Sequence, residues 1–125
     1  MGRHVSELTP RERALRNIKV GDIFHADGSH GGSLICLATS ITETTINART
    51  VTQGYEFKFD RRTGIGGGPE HSAKGFIDSV APLPPDIREA LLSLDLKRKY
   101  WDGPLTPDQK RALIFTSHFY PANPL

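Results

Sequence analysis

Apolar positions along this chain are dense in its middle and sparse at its two ends. From Ile18 to Asp60 they come in short runs separated by turn formers, IKVGDIFHADGSHGGSLICLATSITETTINARTVTQGYEFKFD. β-Branched and aromatic residues dominate the runs, the pattern of a small antiparallel sheet or barrel. Ser33–Ile41 is a nearly unbroken apolar run, which predicts a strand buried on both faces. Thr44–Thr52 is rich in β-branched residues, with tight turns expected at Thr42-Glu43 before it and Gln53-Gly54 after it. Tyr55–Asp60 alternates, with Tyr55, Phe57 and Phe59 on the face assigned to the core and Glu56, Lys58 and Asp60 on the other. These three segments are expected to pair as a meander. A first strand is expected from Ile18 to about Ala26, bent at Gly21-Asp22, and a closing strand over Phe76–Ala81. About five short strands suffice to close a small barrel.

The flanks carry helical signals. Residues 6–17 read as a short helix: Thr9 caps it, Pro10 opens it and Glu12 completes a capping box. Ala14, Leu15 and Ile18 are its apolar contacts, while Arg11, Arg13 and Arg16 form a basic face assigned to solvent. After the hinge LPPD, residues 86–99 predict a second helix. Asp86 and Glu89 stand as a cap pair, Ile87, Leu91 and Leu94 line one side, and Lys97, Arg98 and Lys99 fall in the last turn. Thr106-Pro107-Asp108-Gln109 repeats the first helix's start signal and opens a third helix to about His118. The tail FYPANPL is expected to be extended, held by Phe119 and Tyr120.

The expected fold is therefore mainly β, a small antiparallel barrel with one short N-terminal helix and two C-terminal helices, α+β overall. Its strand–turn rhythm resembles that of small SH3-like or OB-like barrels over roughly half the chain. That resemblance is architectural and implies no activity. All 125 residues are assigned to one domain: helix 6–17, barrel 18–81 and helical extension 82–125.

A hydrophobic content of 37% with 24% charged residues fits a folded globule and excludes a disordered chain. No apolar run approaches the ~20 residues of a membrane helix, and MGRHVSELTPRERA lacks the apolar core of a secretory signal. Met1-Gly2 with Ser6 matches a myristoylation pattern by chance, since no second membrane signal accompanies it. The single cysteine, Cys36, excludes an internal disulfide and is expected to be buried and inert, in a cytoplasmic protein. Net charge is +2, and its placement is informative. Residues 1–17 hold four Arg against two Glu, residues 18–80 six basic against seven acidic, and residues 81–125 six basic against five acidic. The barrel segment is thus slightly acidic, without the basic stripe of a dedicated nucleic-acid barrel.

Candidate chemistry is thin. Gly64-Ile65-Gly66-Gly67-Gly68 is followed by Pro69 and has no P-loop Lys-Ser/Thr, so it reads as a glycine-rich loop within Arg61–Gly75. His25, Asp27, His30 and His71 are weak metal-ligand candidates in no known spacing. With Asp60 or Glu70 they are also the available acid–base groups. No GxSxG, HExxH or paired cysteines occur. Arg61, Arg62, Lys97, Arg98, Lys99 and Trp101 are candidate binding residues, basic groups interleaved with an aromatic.

Strand parity places the Ala26–Gly32 loop at one barrel end and the start of Arg61–Gly75 at the other, which argues against one shared His site. The leading expectation is a binding module for a protein partner that needs no cofactor, metal or membrane, with homo-oligomerisation open. The alternatives are a nucleic-acid-binding barrel and a metal-dependent or hydrolytic enzyme using the loop His and Asp residues.

Overall fold

The computed structural model describes residues 8–28, 32–67, 74–97 and 103–125. Among them the chain runs α1 (Pro10–Arg16), β1 (Ile23–Gly28), β2 (Ser33–Ile41), β3 (Thr45–Thr50), β4 (Glu56–Asp60), β5 (Ile65–Gly67), β6 (Lys74–Ser79), α2 (Pro85–Asp95) and α3 (Pro107–Ala122). The six strands pair antiparallel in chain order, and β6 pairs back onto β1 to close the barrel. No helix among the described residues is long and apolar enough to cross a membrane.

The β2–β3–β4 meander forms as expected, with trimmed ends. β2 is buried on both faces for a reason visible in its alternation. Cys36 and Ala38 point into the barrel with Phe24, Ile46, Phe57, Phe59 and Ile77. Ile35 and Leu37 point outward, onto Ile87 and Leu91 of α2 and Ala112 of α3. Inside, Phe57 and Phe59 stack at 5.8 Å, and Phe24 meets Phe59 edge-on at 5.7 Å. Such aromatic pairs add about 0.5–1.5 kcal/mol beyond burial.

α1 plugs one barrel end. Thr9 Oγ1 accepts from Glu12 N at 3.0 Å while Thr9 N donates to Glu12 Oε1 at 3.2 Å, the reciprocal cap that starts so short a helix. Leu15 and Ile18 then enter the barrel core. α3 starts by the same device, Thr106 with Gln109 at 3.0 and 3.1 Å.

Several expectations need correction. Ile18–Asp22 is a turn before β1: Gly21 has φ 93° and Lys19 N donates to Asp22 Oδ2 at 2.9 Å. Tyr55 falls in the β3–β4 connection and remains half exposed, outside the core face assigned to it. Arg61–Gly75 is not one loop. It contains β5, because a turn at Asp60–Gly64 sends the chain back along β4, with Gly64 at φ 74°. Glycine is required in β5 itself: a Cβ on Gly66 would collide with Lys58 O and lie 2.7 Å from Phe59 Cα.

α2 ends at Asp95, and its N-cap is Pro84 with no side-chain cap bond, so Asp86 and Glu89 do not form the expected cap. Lys97 lies beyond the helix and donates to Pro104 O. α3 continues to Ala122, through the tail expected to be extended. Pro121 is accommodated in the last turn, where Asn123 Nδ2 caps Phe119 O at 2.8 Å. Arg11 is not solvated. Its guanidinium donates to Ile77 O at 2.6 Å and Thr63 O at 2.7 Å and lies 4.1 Å over the Phe76 ring. Burial lowers its pKa, partly offset by Asp78.

Candidate functional site

Among the described residues, helices cover only part of the barrel's outer wall. α2 and α3 pack outside β1 and β2. The outward positions of β4, β5 and β6 are Glu56, Lys58 and Asp60, then Ile65 and Gly67, then Lys74, Phe76 and Asp78. Ile65 and Phe76 are direct cross-strand partners. They remain 53% and 44% exposed. One row further along, Gly67 is paired with both Lys58 and Lys74, so two lysine positions flank one with no side chain. This face therefore presents an apolar pair beside a cationic row, about 7 Å apart by the two-residue repeat of a strand.

The other sequence candidates are dispersed. Arg61 and Arg62 line a cleft of about 470 Å³ between α1 and the β2–β3 and β4–β5 turns, with Arg16, Glu12, Glu43 and Asp60. Charges of both signs meet there. Arg61 is largely committed to holding the turns, donating to Thr42 O at 2.9 Å and Arg16 O at 3.0 Å. Its Nε is buried and has no partner among the described residues. Asp60 Oδ1 accepts from Arg62 N and Thr63 N at 2.8 and 3.0 Å, and these bonds hold its carboxyl below the usual carboxylate range. Lys97 belongs to the other side of the fold, two residues past Asp95, which is tied to Arg49 of β3. Arg98, Lys99 and Trp101 lie outside the described residues.

His25 and Asp27 sit on the outer side of β1, while His30, Glu70 and His71 lie outside the described residues. No group of three His, Cys, Asp or Glu side chains among the described residues could hold a metal. Both His25 nitrogens have partners: Nδ1 is 2.5 Å from Asp78 Oδ1, and Nε2 is 2.5 Å from Ser33 Oγ. The Tyr120 ring of α3 lies 5.2 Å from the imidazole. The end-of-barrel count holds for Arg61 and Arg62, at the Thr44 end. It fails for His71: β5 returns the chain, so Gly67 and Lys74, which bracket the segment holding His71, stand at the Gly28 end, and strand parity does not separate that segment from the Ala26–Gly32 loop.

Ser33 and Asp78 are not marked as partners of His25 by any local sequence signal. Asp78 is 53 residues away and reaches His25 only through the β1–β6 ladder. β6 spans Lys74–Ser79, two residues earlier at each end than the closing strand expected over Phe76–Ala81, and its exposed row Lys74, Phe76, Asp78 lies partly in the segment expected to be loop. Comparison with family models, curated proteins and solved structures finds no match for this chain.

Proposed function

We propose that this barrel is a cytoplasmic protein-binding module whose recognition surface is the open outer wall of β4, β5 and β6. Its ligand is an extended protein segment carrying an apolar side chain and, two residues away, a carboxylate. The observation that carries this reading is the exposed cross-strand pair Ile65–Phe76 beside the Lys58–Gly67–Lys74 row. An apolar ligand side chain covers Ile65 and Phe76, and the carboxylate enters over Gly67 toward Lys58. Strand repeat and ligand repeat match, since both place every second side chain on one face.

A polyanion fits this wall less well. Glu56, Asp60 and Asp78 share it with the lysines, and one face of the Phe76 ring is already covered by Arg11, which limits base stacking.

Selection of binders from a random linear peptide library tests the reading. It predicts enrichment of an apolar-x-acidic pattern, with binding weakened about tenfold or more by Ile65→Ser and by Lys58→Glu. Enrichment of no pattern, or binders indifferent to both substitutions, contradicts it. Tight, steeply salt-dependent binding of single-stranded oligonucleotides through Lys58 replaces the protein partner by a nucleic acid.

A further inference from the structure

The side-chain chain Asp78–His25–Ser33 spans three neighbouring strands and has a fixed polarity. An ionised Asp78 only accepts hydrogen bonds, so at 2.5 Å it holds the His25 proton on Nδ1. In neutral imidazole this leaves Nε2 as the acceptor, and Ser33 must donate its hydroxyl proton across the second 2.5 Å contact. The arrangement is built from regular strands. His25 is central on β1, Ser33 opens β2 on the register pair next to it (Asp27↔Ser33, His25↔Ile35), and Asp78 comes from β6 where the ladder shifts at His25/Ala26. The shift turns Asp78 toward the ring, and Tyr120 packs beside the imidazole. The C-terminal chain fixes the acid's own backbone: Leu125 N donates to Asp78 O at 2.8 Å, and Ser79 Oγ to Asn123 O at 2.6 Å. Ser33 is exposed, so its oxygen is reachable from solvent.

The geometry points to a second activity: Ser33 is a nucleophile for carboxylic esters, with His25 as its general base and Asp78 as the positioning residue. Ser33 Oγ attacks the ester carbonyl carbon and forms the new C–O bond, and its proton passes to His25 Nε2. The bond to the leaving alkoxy oxygen breaks, and the same proton moves to that oxygen to release the alcohol. Water then attacks the acyl-serine, giving up a proton through His25, and the carboxylic acid leaves with Ser33 restored. Relay of this kind needs the nucleophile–base–orienter order seen here, whatever the fold that carries it.

Covalent labelling of the full chain with a fluorophosphonate, followed by peptide mass spectrometry, tests this. The expected result is modification of Ser33 at least about 100-fold faster than of Ser40, an exposed serine outside the relay. His25→Gln removes that advantage while circular dichroism stays native. Asp78→Asn reduces it, and Asp78→Glu recovers part of the loss, which mere structural support would not give. The wild-type labelling rate depends on pH, and the His25→Gln rate does not. Labelling of Ser33 no faster than Ser40, or an unchanged rate in folded His25→Gln, overturns the proposal.

Discussion

Arg49 of β3 grips Asp95 at the end of α2 with two parallel bonds, Nε to Oδ1 at 2.9 Å and Nη2 to Oδ2 at 2.8 Å. The carboxylate is 9% exposed and the guanidinium 41%. Asp95 raises the Arg49 pKa chiefly by this hydrogen bond, against the effect of burial. The fork ties the end of α2 to β3. Asp95→Ala is expected to lower stability by about 1–2 kcal/mol, a value held down by solvent on the Arg49 side. Arg49→Lys should lose part of that, since an ammonium cannot make both bonds. Urea unfolding measures both, and two variants indistinguishable from wild type would contradict the assignment.

Gly66→Ala is the sharpest test of β5. A methyl group there meets Lys58 O and the backbone of Phe59 rather than a mobile side chain. The expected cost is about 3 kcal/mol or failure to fold, since β4 and β5 must separate. A stable Gly66→Ala protein would mean that the two strands do not approach this closely.

Much of the fold was legible because its signals are local. The Thr9 and Thr106 boxes, the doubly buried Ser33–Ile41 run and the Phe57/Phe59 alternation each lie within a few residues, and each forms nearly as read. β5 was not legible: a three-residue strand with glycine at Gly66 and Gly67 has the composition of a loop, and only the close crossing over Lys58 explains it. α3 runs past its expected end near His118 because Pro121 is accommodated in the last turn, a position that proline more often denies to a helix. The sites were less legible still. The basic candidates Arg61, Arg62 and Lys97 were grouped by residue type, and the fold sends them to different places. The Ile65–Phe76 pair and the His25 relay exist only through ladder register.

Cys36 is expected to be unreactive in the folded protein. It is fully buried in the barrel, and its thiol pKa is pushed up by burial first and then by Asp78. A maleimide or aromatic disulfide should modify it only after denaturant is added. Rapid stoichiometric modification of the native protein would show that the β2 core is open.

Asp60 gives an acid-side prediction. Its folded pKa is depressed by the bonds from Thr63 N and Arg62 N, so its stabilisation is complete above the unfolded value and disappears as pH falls through the folded one. The stability difference between wild type and Asp60→Asn should be full above pH ~4.5 and shrink steadily below pH ~3.8. Carboxyl NMR titration should place the Asp60 midpoint below that of an unstructured aspartate. A midpoint at or above the ordinary value would contradict the Asp60–Thr63 turn geometry.

Amide NMR can follow binding of an apolar-x-acidic segment to the outer wall of β4, β5 and β6 residue by residue. The isotopically labelled protein would be titrated with the tightest peptide from the library selection. Shift changes are expected to concentrate at Lys58, Ile65–Gly67 and Lys74–Phe76, and Ile65→Ser to abolish them while leaving the remaining spectrum in place. Shift changes centred on the Arg61–Arg62 cleft or around Lys97, with the Ile65–Phe76 pair silent, would contradict it.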